Sequence, residues 1–177
     1  MIFQNFFLKR KIQTLLKEAP QRKPHFCSLY EADDILIVFN IKDREEVLRC
    51  VERLKSSEKE IHLCAFLPKR KNKKKATYDT DPSWLLVDED ASDAQGLPQE
   101  ATCQAFFDLP ADLLIDLTRP EDYMMHYLEL KHSSSFKVGN KSILRSFFDM
   151  TVTMKDGDDI AQYFEYILFY LQTIRSK

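Results

Sequence analysis

The sequence predicts a three-layer α/β fold, with a Rossmann-like, mostly parallel sheet of five to six strands and helices on both faces. Two short apolar runs, at 35–39 and 113–117, lack the polar alternation of half-exposed strands, which is typical of parallel strands buried on both faces. Segments with helical spacing follow both runs, so strand and helix alternate along the chain. The 177 residues, 44% of them hydrophobic, suit a single buried core.

The first half of the chain is expected to contain a helix and one strand-helix-strand unit. Apolar residues recur every three or four positions over 2–18 and predict a helix, which Pro20 and Pro24 end. Residues 26–30 favour a short edge strand. The next elements are a strand at 35–39, a helix capped by Asp43 with its apolar stripe over 47–54, and a strand at 61–67 stopped by Pro68.

The second half continues the same alternation and ends in an edge strand and a helix. Residues 89–105 contain Gly96 and Pro98 and are interpreted as a loop. Apolar and polar residues alternate over 148–154, which indicates a strand with one wet face, and we expect an antiparallel edge strand there. The other predicted elements are strands at 84–87, 113–117 and 136–139 and helices at 121–131 and 160–174.

Composition excludes several classes of protein. Only three glycines are present, which argues against a glycine-rich phosphate loop, and the turn at 139–142 lacks the P-loop spacing. No apolar run has the length of a membrane span, and the N-terminal order of apolar and basic residues is wrong for a signal peptide. The four cysteines show no paired spacing. We therefore expect a cytoplasmic protein, with a peripheral membrane association left open.

The charge is arranged in blocks although its net value is only −2. Six Lys and Arg residues against one Glu occur in 1–24, and six more in 69–75, whereas 79–122 carry twelve acidic residues and one Arg. These basic segments predict contact with an anionic partner, either a membrane surface or nucleic acid, although solvated charge runs are the alternative. The residues concerned are Lys9, Arg10, Lys11, Lys69, Arg70, Lys71, Lys73, Lys74 and Lys75.

The chain is expected to consist of a basic amphipathic N-terminal helix with its linker, at 1–24, and a single α/β domain at 25–177. The final helix carries Tyr166, Phe169 and Tyr170 beyond its apolar stripe. Aromatic residues outside one stripe indicate either deep burial or a homodimer contact through this helix.

Candidate ligand-binding residues fall at or after the ends of the predicted strands, where ligands of parallel sheets bind. They are Asn40, Asp43, Asp116, Arg119, Lys137, Asn140 and Lys141. Carboxylates at such positions also cap helices and stabilise turns without any further role. The sequence predicts no metal site, because the short, clustered spacings of zinc ligands are absent from His62, Cys64, His126 and His132. It also predicts no cofactor and no catalytic residue, because few polar residues converge.

Two segments resemble the N-terminal Rossmann-like domain of heptosyltransferase-type glycosyltransferases. Residues 35–38 with the following helix and 61–63 resemble its first strand, helix and second strand, and Asp112-Leu113-Leu114-Ile115-Asp116-Leu117 with 136–139 resembles its "DLVIDL" strand and later turn. The glycine of the family's Gly-Asp pair is absent before Asp43, and these residues show no resemblance to the family's second, donor-binding domain. The whole chain is similar to a bacterial family of short single-domain α/β proteins, which implies the fold without an activity.

Two functional hypotheses follow from these observations. The first is a non-catalytic interaction or scaffold module that meets an anionic partner through its basic segments. The alternative is a glycosyltransferase-like protein that binds a nucleotide or sugar phosphate at the strand carboxyl ends. The scarcity of glycine and of convergent polar residues favours the first.

Overall fold

The computed structural model describes residues 2–18, 25–54, 58–69, 78, 80–140, 147–155 and 157–173, without the side chains of residues 2–4. The helices are α1 (Ile2–Glu18), α2 (Arg44–Leu54), α3 (Glu100–Phe107), α4 (Tyr123–Lys131) and α5 (Ile160–Thr173). The strands are β1 (Asp34–Asn40), β2 (Glu60–Leu67), β3 (Leu85–Asp88), β4 (Leu113–Leu117), β5 (Phe136–Asn140) and β6 (Met150–Val152).

The six strands form one parallel sheet in the order β3-β2-β1-β4-β5-β6. The chain builds outward from β1 to β3 and then returns to the other side of β1 to build β4 to β6. Val38 of β1 lies opposite Asp116 of β4, so these two central strands end close together. The order therefore reverses between β1 and β4, and such a reversal opens a crevice at the carboxyl ends of the strands.

Helices cover both faces of the sheet, as the sequence predicted. On one face α2 and α5 pack against Ile35, Ile37 and Ile115. On the other face α1, α3 and α4 pack against Leu36 and Leu114. Because both faces are covered, β4 has no solvent-exposed side chain.

Helix α1 packs directly on the domain. Its Leu8 and Ile12 are buried in the same apolar layer as Leu36 and Leu114 of the sheet, and α1 contacts α4. The opposite side of α1 remains exposed. The helix is therefore amphipathic in the ordinary sense of having one core-facing stripe.

The last strand confirms the predicted edge but not the predicted direction. Strand β6 pairs with β5 in parallel, with Val138 opposite Met150. Just before β6, Asp149 N donates to Lys137 O at 2.8 Å, and Lys137 N donates to Asp149 Oδ2 at 2.8 Å. The prediction of an antiparallel strand was wrong because alternation reveals a one-sided strand and carries no information on its direction.

Two local predictions also differ from the structure. Residues 100–105, interpreted as part of a loop, form most of α3, which ends at Phe107 and buries Phe106. Gln99 precedes this helix without a side-chain cap, so the usual signal for a helix start was missing. Residues 26–30 form no strand, since Leu29 N donates to Leu171 O of α5 and a turn follows.

Among the described helices, none is both long and apolar enough to cross a membrane.

We predict that Gly139→Ala destabilises the protein by about 1–3 kcal/mol, as overpacking of a core commonly does. A Cβ atom added at Gly139 would lie 2.4 Å from the ring of Phe148, which is itself buried. Urea denaturation measures the change in the free energy of unfolding. Combining Gly139→Ala with Phe148→Leu should recover part of the loss, and a strictly additive double variant would contradict this account.

Candidate functional site

A crevice of about 320 Å³ lies at the carboxyl ends of β1, β4 and β5, at the reversal of strand order. Three residues predicted from sequence to bind a ligand line it: Asp43, Arg119 and Asn140. They come from the ends of three different strands, which the parallel register brings to one edge. Thr118 and Tyr163 add two hydroxyl groups to the lining.

Local turns hold the two charged residues in place. Asp43 ends a short 3₁₀ turn, Ile41–Asp43, between β1 and α2. Arg119 follows β4, and its N–H donates to Asp122 Oδ2 at 3.0 Å. Burial raises the pKa of Asp43, while the Arg119 guanidinium acts in the opposite direction. The two side chains therefore interact electrostatically across the crevice.

The described lining of the crevice is predominantly acidic. It contains four carboxylates, at Asp43, Glu46, Asp158 and Asp159, and one guanidinium, at Arg119. One of these acids, Asp159, also caps the last helix: Gln162 N donates to Asp159 Oδ1 at 2.8 Å, and Asp159 N donates to Gln162 Oε1 at 3.1 Å. The net charge of this lining favours cationic over anionic ligands.

Other predicted ligand residues lie inside the fold. Asn40 is buried, and its Oδ1 accepts from Lys42 N at 3.1 Å, which stabilises the turn after β1. Lys137 is also buried, and its Nζ donates at 2.7 Å to the carbonyl oxygens of both Glu129 and His132. The positive charge of Lys137 thus stabilises the partial negative charge at the C-terminal end of α4. Lys141 lies outside the described residues.

Asp116 belongs to a buried polar cluster beneath α4, which we call the Asp-His-Glu cluster: Asp116, His126 and Glu129. Their exposed fractions are 1%, 2% and 0%. One potential ligand atom from each residue lies within 4.8 Å of the other two, and His126 Nε2 is 3.8 Å from Asp116 Oδ2. The other carboxylate oxygen, Asp116 Oδ1, accepts from Thr118 N at 2.7 Å and Thr118 Oγ1 at 2.6 Å.

Burial controls the protonation of the Asp-His-Glu cluster. Burial lowers the pKa of His126, whereas the nearby Asp116 carboxylate acts in the opposite direction. Burial also raises the pKa of Glu129 well above its ordinary value, an effect that Asp116 reinforces and Lys137 opposes. Burial thus favours the neutral form of both side chains.

Sequence reasoning missed His126 and Glu129 as partners of Asp116. They are three residues apart on α4 and so share one side of the helix. A His-x-x-Glu spacing on an otherwise apolar helix was the available signal. His132, considered with His126 on sequence grounds, is engaged elsewhere: its Nδ1 accepts from Ser134 N, and its Nε2 lies 3.0 Å from Leu109 O.

The basic face of α1 is the second candidate surface. Arg10 and Lys11 are exposed and Lys9 is half-buried. Phe6 and Phe7, next to them, are 59% and 53% exposed. In the predicted basic run, Lys69 N donates to Glu89 Oε2, whereas Arg70, Lys71, Lys73, Lys74 and Lys75 lie outside the described residues.

The outer side of α5 carries a second aromatic patch. Phe169 is 60% exposed and Tyr170 48% exposed, while Tyr166 packs against the core. Phe169 and Tyr170 are exposed and could form a homodimer contact, which stays a prediction.

Residues 4–174 match a family of unknown function, DUF6913. The chain belongs to this family. The resemblance seen in the sequence implied a family of this kind, with a shared fold and no assigned activity. Among curated proteins, none matches the chain.

Two solved structures share part of the architecture. A glycosyl transferase family 9 protein from Veillonella parvula aligns with 81% of this chain and 42% of its own, at 14% identity and a TM-score of 0.48. An exopolyphosphatase-related protein from Bacteroides fragilis aligns with 81% of this chain and 40% of its own, at 16% identity and a TM-score of 0.44. The chain spans about two fifths of the length of each, and likenesses at this level support no statement on activity.

We predict that Asp122→Asn changes the pH dependence of stability. Burial raises the pKa of Asp122 to about 6, compared with about 3.9 in an unfolded chain. The folded state therefore binds this proton more tightly, and the stability it contributes below pH 4 is lost as the pH rises through about 6.

Asparagine keeps an oxygen that can accept from Arg119 N, so this variant removes mainly the titration. Wild-type stability should fall relative to the variant, by on the order of 1–2 kcal/mol between pH 4 and 7 after allowing for partial exposure of the carboxyl group. Urea denaturation across this range measures the difference. A difference that does not change with pH would contradict the assignment.

Proposed function

We propose that the protein is a non-catalytic peripheral module that docks on an anionic lipid surface through the exposed side of α1. The observation that carries this proposal is the pair of exposed rings, Phe6 and Phe7, on a helix whose exposed side also bears Arg10 and Lys11. Large exposed apolar groups beside cations are the usual composition of a helix that lies in a membrane interface.

The geometry of α1 supports contact along its length. Leu8 and Ile12 hold the helix on the domain, while the rings of Phe6 and Phe7 stack edge to face with centroids 6.1 Å apart. A groove of about 290 Å³, lined by Phe7, Arg10 and Lys11 among others, separates α1 from the turn at 95–97. Two cations beside an apolar side chain complement a phosphate headgroup above acyl chains.

A lipid surface explains the aromatic residues better than nucleic acid does. Aromatic residues that stack on bases are distributed along a basic groove, so that successive bases each find a ring. Here the two described aromatic rings lie together at one end of α1, and the exposed cations follow one turn later. The basic run at 69–75 stays a predicted second segment that contacts the anionic surface.

We predict that the protein cosediments with vesicles of phosphatidylglycerol and phosphatidylcholine, and not with phosphatidylcholine alone. The double change Phe6→Ser and Phe7→Ser should weaken binding at least about tenfold, since partial burial of each ring contributes on the order of 1 kcal/mol. The double change Arg10→Gln and Lys11→Gln should weaken binding and reduce its dependence on salt.

Phe169→Ser is the matched control, because Phe169 on α5 has the same exposure as Phe6. Its vesicle binding should equal that of the wild type. Equal losses in the control and the α1 variants would contradict docking through α1. Binding to a single-stranded oligonucleotide that depends on Arg10 and Lys11 but not on Phe6 and Phe7 would favour nucleic acid as the partner.

A second candidate function is the binding of a small amine-bearing ligand in the strand-end crevice. Its support is the convergence of Asp43, Arg119 and Asn140 on one crevice at the reversal of strand order. The acidic lining favours an ammonium group, while the Arg119 fork suits a hydroxyl or carboxylate of the same molecule. This charge disfavours the nucleotide or sugar phosphate expected from the glycosyltransferase resemblance.

We predict that glucosamine or spermidine raises Tm, whereas UDP and glucose 1-phosphate do not. Asp43→Asn should weaken the binding of the amine probe by about tenfold, because a charge-assisted hydrogen bond is worth about 1.5 kcal/mol or more. Arg53→Gln, at an exposed arginine that pairs with Glu165, should leave it unchanged. A response to the phosphate probes alone would overturn the charge argument and restore the phosphate-ligand hypothesis.

A further inference from the structure

We propose that Asp116, His126 and Glu129 form a binding site for one divalent first-row transition metal ion, with Zn²⁺ or Mn²⁺ as the matching chemistry. The site is independent of the two functions proposed above, since it lies beneath α4 and shares no residue with α1 or with the described lining of the crevice.

The donors match this class of metal in kind and number. One imidazole nitrogen and two carboxylate groups form a mixed nitrogen and oxygen set, whereas Ca²⁺ and Mg²⁺ prefer oxygen ligands alone and Cu⁺ prefers sulfur. Three protein ligands leave one or more positions open for water, as in catalytic zinc sites.

The distances are close to those of a ligand set around one ion. Bonds of about 2.0–2.2 Å place ligand atoms at most about 4.4 Å apart, and the three donors already lie within 4.8 Å of one another. His126 Nε2 and Asp116 Oδ2, 3.8 Å apart, are too distant for a hydrogen bond but suitable for two ligands of the same ion.

Unpartnered polar atoms provide an independent reason to expect an occupant. No described donor reaches the buried carboxylate oxygens of Glu129, and the group they face is another carboxyl group, that of Asp116. Leaving such groups unsatisfied is costly, and each one calls for a bound water, ion or other partner. A metal ion bonded to Glu129 and Asp116 would satisfy the facing oxygens of both carboxylates.

The charges also balance. Two carboxylates neutralise a divalent cation, whereas a buried anion would add to their charge. The nearby cation of Lys137 is already engaged with backbone carbonyls at the end of α4, so it competes little for the carboxylates. The rings of Tyr123 and Phe147 lie with centroids 6.3 and 6.1 Å from His126 and limit the space around the site.

The test is a titration of the full chain, stripped with EDTA, with Mn²⁺ followed by electron paramagnetic resonance and with Zn²⁺ followed by Tm. We expect one equivalent of either ion to bind and Tm to rise. Glu129→Gln should lower the affinity at least tenfold. Because glutamine has the size and shape of glutamate, this isosteric change should leave the metal-free Tm close to that of the wild type.

Asp116→Asn is a second variant, whose amide oxygen can still accept from Thr118, and it should lower the affinity similarly. His62→Gln is the matched control: His62 lies 2.9 Å from Asp34 at a partly exposed site, and its variant should bind metal like the wild type. X-ray absorption of the Zn²⁺ form should show nitrogen and oxygen ligands and no sulfur at about 2.3 Å.

Absence of one-to-one binding by the wild type would overturn the proposal. Unchanged affinity in Glu129→Gln and Asp116→Asn would do the same, as would loss of binding in the control. In those cases the Asp-His-Glu cluster has a structural role only.

Discussion

Covering a fully parallel sheet on both faces is the constraint on which the other elements of this protein depend. The central strands β1 and β4 carry continuous apolar runs, so neither face can be left in water. Helices α2 and α5 cover one face, and α1, α3 and α4 the other. Any polar residue that points inward from these strands is therefore enclosed by helices, and Asp116 is the clearest case.

The central strands β1 and β4 were predictable because each is a short, largely apolar run, which in a small domain favours a buried strand. Strand β6 was predictable from its alternation of apolar and polar residues. Helix α3 was not predictable, since its start lacks a capping side chain and its sequence contains residues of modest helix propensity. The direction of β6 is fixed by tertiary contacts such as those between Asp149 and Lys137, which the sequence pattern does not reveal.

Residues of the candidate site were predictable only where their position at the end of a strand places them in the crevice. Asp43, Arg119 and Asn140 follow strand ends and meet at one edge because parallel strands finish there together. Side-chain direction decides the others: Asn40 bonds to its own turn, and Lys137 points to the end of α4. The link between Asp116 and the pair on α4 depends on packing across layers, which spacing in the sequence does not encode.

The packing of α1 on α4 has a mechanical consequence. Leu8 and Ile12 are part of the interior, so releasing α1 would expose apolar surface of α4 to water. The helix is thus joined rigidly to the sheet, unlike a flexible arm. Any surface that holds α1 consequently fixes the orientation of the whole sheet relative to that surface, and it does so without an additional contact.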